Sequence, residues 1–234
     1  MSEAGYLVLE DGSVHEGEPF GAPGTAFGEV VFNTGMTGYQ EMLTDPSYAG
    51  QIVVPTYPLM GNYGIHAKDA ESRQVQVSGF VVRLHSTTPS HFGSSSTLDD
   101  YLLSHGVLGL SGVDTRAITR RLRSSGVMMG CVTSQLSPDE AWARLKQTPR
   151  YDELDLVTLV STENIYKWEE SEDALMATNM HIVVTDCGLK YNILRNLRSR
   201  GCAVTAVPVH MAAEEILEMR PDGMVFSPGP GDPA

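Results

Sequence analysis

Residues 181–234 read HIVVTDCGLKYNILRNLRSRGCAVTAVPVHMAAEEILEMRPDGMVFSPGPGDPA, and the alternation of elements in this stretch decides the fold. His181 to Thr185 is a short β-branched run of the kind that forms a strand buried on both faces. Leu189, Ile193, Leu194 and Leu197 then recur at helical spacing, and Gly201 ends that helix. Cys202 to Val207 gives a second strand, Ala212 to Met219 a second helix stopped by Pro221, and Gly223 to Ser227 a third strand. The order βαβαβ implies a parallel sheet with right-handed crossovers, in which ligands sit beyond the carboxyl ends of the strands. Ser227 to Pro233 falls at that end. Gly229 and Gly231 permit close approach of a ligand or positive φ, while Pro228, Pro230 and Pro233 restrict φ and stiffen the loop. Such a loop can aim backbone N–H groups at an anion or at a carbonyl oxygen becoming one. The same residues also suit an ordinary turn after a strand.

The first βα turn, Asp186-Cys187-Gly188, lacks the GxGxxG pattern that a dinucleotide pyrophosphate requires, and the second strand ends at Val207-Pro208 without a carboxylate for a ribose. Cys187 stands before a helix, a place that can activate a thiol, but no nearby histidine makes a plausible pair with it, so a small core residue is the competing reading. Cys131, Cys187 and Cys202 form no CxxC pair and are odd in number, which argues against a disulfide framework. The seven histidines show no HxH or HExxH spacing, so no metal site is expected.

The whole chain has 234 residues, 41% of them hydrophobic and 19% charged, enough for one large domain or two modest ones. A formal charge of -13 argues against a nucleic-acid or anionic-membrane surface. No stretch approaches the roughly 18 consecutive apolar residues of a membrane span, and MSEAGYLVLEDG lacks the features of a signal peptide, so a cytoplasmic location is expected.

Upstream, Tyr6 to Glu10, the turn Asp11-Gly12 and Ser13 to Phe20 predict a hairpin. Glu29 to Thr34, Gln51 to Pro58 and Val75 to Arg83 predict further strands, and Gly126 to Thr133 another. Between the first two, Gly35 to Gly50 (GMTGYQEMLTDPSYAG) predicts a long loop with a short helix, the usual home of function. Helices are expected over Thr97 to His105 and Thr115 to Ser125, each ending at a glycine. A third opens at the capping box Ser137-Pro138-Asp139-Glu140 and turns Trp142 and Leu145 inward. Arg116, Arg120, Arg121 and Arg123 on the second helix fit a solvated face or an anion site. From Tyr151 to Ala177 eight acidic residues stand against one basic residue, Lys167. The predicted organisation is thus a mixed α/β domain over 1–150, an acidic linker over 151–179 and an α/β unit over 180–234.

Several of these stretches together carry a resemblance: LVLEDG (7–12), GEVVFNTGMTGYQE (28–41), LTDPSY (43–48), QIV (51–53), Tyr57-Pro58 with Gly61-Asn62, VDTR (113–116) and PGPGDPA (228–234). In this order they resemble the small subunit of glutamine-dependent carbamoyl phosphate synthetase. The resemblance implies an amino-terminal domain peculiar to that subunit, followed by the first βαβαβ part of a class I glutamine amidotransferase domain. It further implies hydrolysis of glutamine and passage of ammonia to a large subunit that makes carbamoyl phosphate for arginine and pyrimidine synthesis. ATP and Mg are then expected in the partner, and no cofactor in this subunit. By motif, Ser47, Gly229 and Gly231 are implied to bind glutamine. A serine hydroxyl both donates and accepts, which suits the amino-acid end of the substrate, and glycine amides suit its backbone or an oxyanion. A local turn bond after Asp45-Pro46 is the competing role for Ser47. The family's catalytic cysteine, histidine and glutamate lie beyond Ala234, and none of the three cysteines present matches their context. The chain is therefore expected to be a truncated, inactive part of that subunit. The alternative is a non-catalytic docking or small-acid-binding module.

Overall fold

The structure, a computed structural model, describes residues 4–169 and 179–231. Met1 to Glu3 of the amino-terminal reading, residues 170–178 of the expected linker, and Asp232 to Ala234 of the proline-glycine loop lie outside the described residues. The chain is α/β and divides into two compact units, Met1–Leu154 and Asp155–Ala234.

In the first unit β1 (Gly5–Leu9) and β2 (Val14–Gly21) form the expected hairpin. Its turn is held by the Asp11 carboxylate, which accepts from the Ser13 N–H at 2.9 Å and hydroxyl at 2.7 Å, with Gly12 at φ 85°. The next elements are β3 (Thr25–Asn33), α1 (Tyr39–Thr44), a 3-10 turn over Pro46–Tyr48, β4 (Gln51–Pro55), β5 (Leu59–Met60), β6 (Gly79–Val81) and β7 (Leu84–His85). They are followed by α2 (Leu98–Ser104), β8 (Leu108–Ser111), α3 (Thr115–Ser125), β9 (Met128–Thr133) and α4 (Pro138–Leu145). Seven strands close into a barrel in the order β1-β2-β8-β6-β4-β3-β9, while β5 and β7 pair separately. Six of the barrel strands contribute to one apolar cluster, including Leu7, Val30, Ile52, Val81, Leu110 and Val132, which Ile118 and Leu122 of α3 join. A second cluster sets Phe20, Val53 and Phe80 against Tyr39 of α1 and Leu98 and Leu102 of α2.

Two expectations for this unit need correction, and one strand was missed. Val75 to Arg83 is a regular strand only over Gly79–Val81, because Gln76 donates its N–H to Leu43 and Ser78 its N–H to Gln51 outside a ladder. Strand β8 went unpredicted because Gly109 interrupts its apolar pattern; the glycine is required where the Phe20 ring lies against it, since any Cβ would run into that ring. Trp142 does not face inward: Ala141 and Leu145 do, and the indole lies at the surface under the Lys146 ammonium, 2.9 Å from the ring centre.

The second unit holds α5 (Leu156–Val160), β10 (Tyr166–Lys167), β11 (His181–Asp186), α6 (Tyr191–Ser199), β12 (Ala203–Pro208), α7 (Ala213–Glu218) and β13 (Gly223–Phe226). The sheet order is β10-β12-β11-β13, with β11 parallel to both β12 and β13 and β10 antiparallel at the edge. Leu189 and Leu194 cover one face through Ile182, Val184, Val204 and Ala206, and Ile216 covers the other through Val183 and Val207. Burial on both faces explains why these strands lack polar alternation. Part of the stretch read as a linker is thus built into this unit as α5 and the edge strand β10. Charge composition concealed that, because a two-residue strand carries no periodicity.

Candidate functional site

In a parallel sheet all carbonyl-end loops emerge on one side, and here those after β11 and β13 are packed against each other. Asp186, a residue only 6% exposed, closes β11. Its Oδ1 accepts from the N–H groups of Gly188 at 3.0 Å and Leu189 at 2.7 Å, and its Oδ2 from that of Thr162 at 3.0 Å. Ser227 follows β13, and its hydroxyl accepts from the Cys187 N–H at 2.9 Å and donates to the Pro228 carbonyl at 2.9 Å. Gly229 abuts this turn so closely that a Cβ would land on the Cys187 carbonyl oxygen. Gly231 sits at φ 99° with open space around its Cα, a conformation that favours glycine. The two glycines therefore serve different ends: one permits contact between loops, the other a left-handed turn.

Cys187 lies in the same turn, but its thiol is pushed up by burial and, secondarily, by the Asp186 carboxylate. Both effects oppose thiolate formation, which argues against the nucleophile, while the side chain is half-buried in the turn rather than part of the core. Burial raises the Cys131 thiol further, to about 12. Cys202 is buried just before β12. Among the described residues no three His, Cys, Asp or Glu side chains gather as a metal would need.

Ser47 belongs to the other unit, in the 3-10 turn that follows α1. That segment is fixed at several points. Tyr63 accepts through its hydroxyl from the N–H groups of Gly38 at 2.8 Å and Tyr39 at 3.2 Å, and the two tyrosine rings stack at 4.2 Å. The buried Gln40 exchanges a pair of bonds with the His66 backbone, 2.6 Å to its carbonyl and 2.8 Å from its N–H. Asp45 caps the turn by accepting from the Ser47 N–H at 2.9 Å. The local turn bond expected of Ser47 is thus made by its backbone. Its hydroxyl has no hydrogen-bond partner among the described residues and remains available to a ligand. Gly229 and Gly231 share one loop of the second unit, and Ser47 a rigid turn of the first. Sequence reading put Ser227 at the ligand end of the sheet and Asp186 in the first βα turn but gave neither a role; the structure shows both bonded to the backbone of the turn beside the loop.

Comparison with known proteins follows the same division. Residues 7–132 match the family described as carbamoyl-phosphate synthase small chain, CPSase domain, and residues 183–234 match the class-I glutamine amidotransferase family. The chain is 49% identical to a carbamoyl phosphate synthase small chain from Akkermansia muciniphila, covering 97% of this chain and 62% of that one. It is 48% identical to the protein of the same description from Synechococcus, over 99% and 61% of the two chains. Against that from Methanopyrus kandleri it is 48% identical, over 97% and 62%. The chain thus spans about 62% of the length of the curated relatives it matches.

Proposed function

From the premise that this chain belongs to the carbamoyl-phosphate synthase small-chain family, we propose that it forms the glutamine-recognising part of a glutamine-hydrolysing small subunit. The ammonia released there supplies a large, ATP-dependent partner subunit that makes carbamoyl phosphate for arginine and pyrimidine synthesis in the cytoplasm. ATP and Mg2+ act in that partner, and no residue of this chain is assigned to them. The residues assigned to glutamine are Ser47 of the first unit, through its hydroxyl, and Gly229 and Gly231 of the second, through their backbone. The Cys131 and Cys187 thiols are both raised, which opposes attack, so binding and orientation, rather than cleavage of the amide, fall to the residues assigned to glutamine.

The observation that carries the reading is the Pro228 to Gly231 loop at the carboxyl end of a parallel sheet, held by a side-chain hydrogen bond rather than left as a loose turn. Titration of L-glutamine into the chain labelled with 15N-glycine tests it. The Gly229 and Gly231 amide resonances are expected to shift with glutamine and not with asparagine, which is one methylene shorter. Resonances that ignore glutamine would refute the assignment.

A further inference from the structure

We infer that Asp186 and Ser227 are positioning residues that set the shape of the Ser227 to Gly231 loop through the Cys187-Gly188 turn, without touching the ligand. The ligand in this inference rests on the glutamine reading above; the geometry does not. All three bonds to the Asp186 carboxylate come from loop N–H groups at the carboxyl end of the sheet, and none serves the strand ladders. The strands have their own backbone register and buried apolar faces. What the carboxylate fixes is the turn. Charge-assisted bonds to a buried carboxylate are stronger than neutral ones, so the turn has little freedom.

The turn then fixes the loop in two ways. Ser227 pins it through the Cys187 N–H, with its own hydroxyl proton committed to Pro228. Gly188 and Gly229 also interlock: a Cβ at Gly188, whose φ is 127°, would come within 2.7 Å of the Gly229 Cα and 3.0 Å of the Pro230 ring. Displacing the turn therefore displaces Gly229. On the other side, Asp186 accepts from Thr162, and the neighbouring Ser161 hydroxyl accepts from the Val209 N–H at 3.0 Å, beyond the end of β12. The segment before the sheet is thereby tied to the same end and supports Asp186 from below. Small misplacements of positioning groups can cost large factors in activity.

Asp186→Asn, Ser227→Ala and Ser227→Thr test this, each made in the 15N-glycine-labelled chain and in a full-length small subunit assembled with its large partner. Asp186→Asn and Ser227→Ala should shift or broaden the Gly229 and Gly231 resonances and leave that of Gly201, at the opposite end of the sheet, in place. Ser227→Thr keeps the hydroxyl and should restore the wild-type positions. In the assembled enzyme KM for glutamine should rise about tenfold in the first two variants, with kcat at saturating glutamine within about twofold and ammonia-dependent synthesis unchanged. Gly229 and Gly231 resonances unmoved in both variants overturn the inference, as do moved resonances with an unchanged KM. A wild-type chain that ignores glutamine overturns the ligand reading alone, and the resonance comparison still decides the geometry.

Discussion

A serine whose backbone N–H is spent on its own turn and whose hydroxyl is not is a serine placed for something outside the turn. Ser47→Ala should leave the turn intact, because Asp45 caps it through the backbone. In an assembled synthetase the substitution should weaken glutamine binding by about 1 to 2 kcal/mol, the worth of one bond to a charged substrate end. Ammonia-dependent synthesis should be unaffected; equal loss of both activities would make Ser47 a structural residue. Glu41, in the same segment, makes a prediction about pH. Its Oε2 is buried without a hydrogen-bond partner among the described residues, and burial, followed by the Asp69 and Glu71 charges, raises its carboxyl above the ordinary 4.5, against an opposing pull from its own backbone that is smaller than the effect of burial. An acid with a higher pKa folded than unfolded holds its proton more tightly when folded. Its contribution to stability is then fully present below 4.5 and is lost as pH rises through the raised value. Glu41→Gln should therefore melt higher than wild type near neutral pH, with the difference closing below pH 4.5, as thermal melts across pH would record. At this scale the sequence marked two glycines without separating their roles. Gly229 and Gly231 sit in one motif, yet only the packed structure separates the glycine that admits a neighbouring carbonyl from the one that turns the chain.

Among elements, Phe20 on β2 and Gly109 on β8 show how the barrel is pinned. They are direct partners in the register, and the ring of one fills the space above the other while stacking on His85 at 4.3 Å. Gly109→Ala would drive a methyl into that ring and should destabilise the first unit by about 1 to 3 kcal/mol, the usual range for overpacking, measurable by urea denaturation. A shift under about 0.5 kcal/mol would mean that Phe20 moves aside freely, within the range of an ordinary surface substitution. Helices with explicit stops were legible: α2, α3 and α4 begin at side-chain caps from Thr97, Asp114 and Ser137, and each cap is a short-range interaction. Strand β8 was not, because its glycine breaks the apolar pattern for a reason that lies about ninety residues earlier in the chain. The Trp142 error has the same origin. Helical spacing allowed either face, and the choice was made by Lys146 and by the Glu10 carbonyl, which accepts from the indole at 3.4 Å.

For the whole molecule, the second unit was readable in order and direction, since consecutive βα segments with buried strands leave little choice of topology. The barrel was not, since its closure depends on β3 pairing with β4 on one side and with β9, more than a hundred residues from its start, on the other. Function divides along the same line. The binding groups proposed for glutamine are present, whereas the chemistry of amide hydrolysis asks for a thiolate, a proton shuttle and oxyanion donors together. Of the three thiols, Cys131 is pushed up to about 12 and Cys187 is raised by burial and by Asp186, while Cys202 is buried. A thiol raised above its ordinary value is at most a few per cent thiolate near pH 7, which applies to Cys131 and Cys187. The chain as it stands should therefore bind glutamine without releasing ammonia above background, and Cys187→Ser should change nothing in a glutaminase assay. Ammonia release abolished by that substitution would make Cys187 the nucleophile, and the Asp186 carboxylate beside it would then have to act as something other than the brake described here.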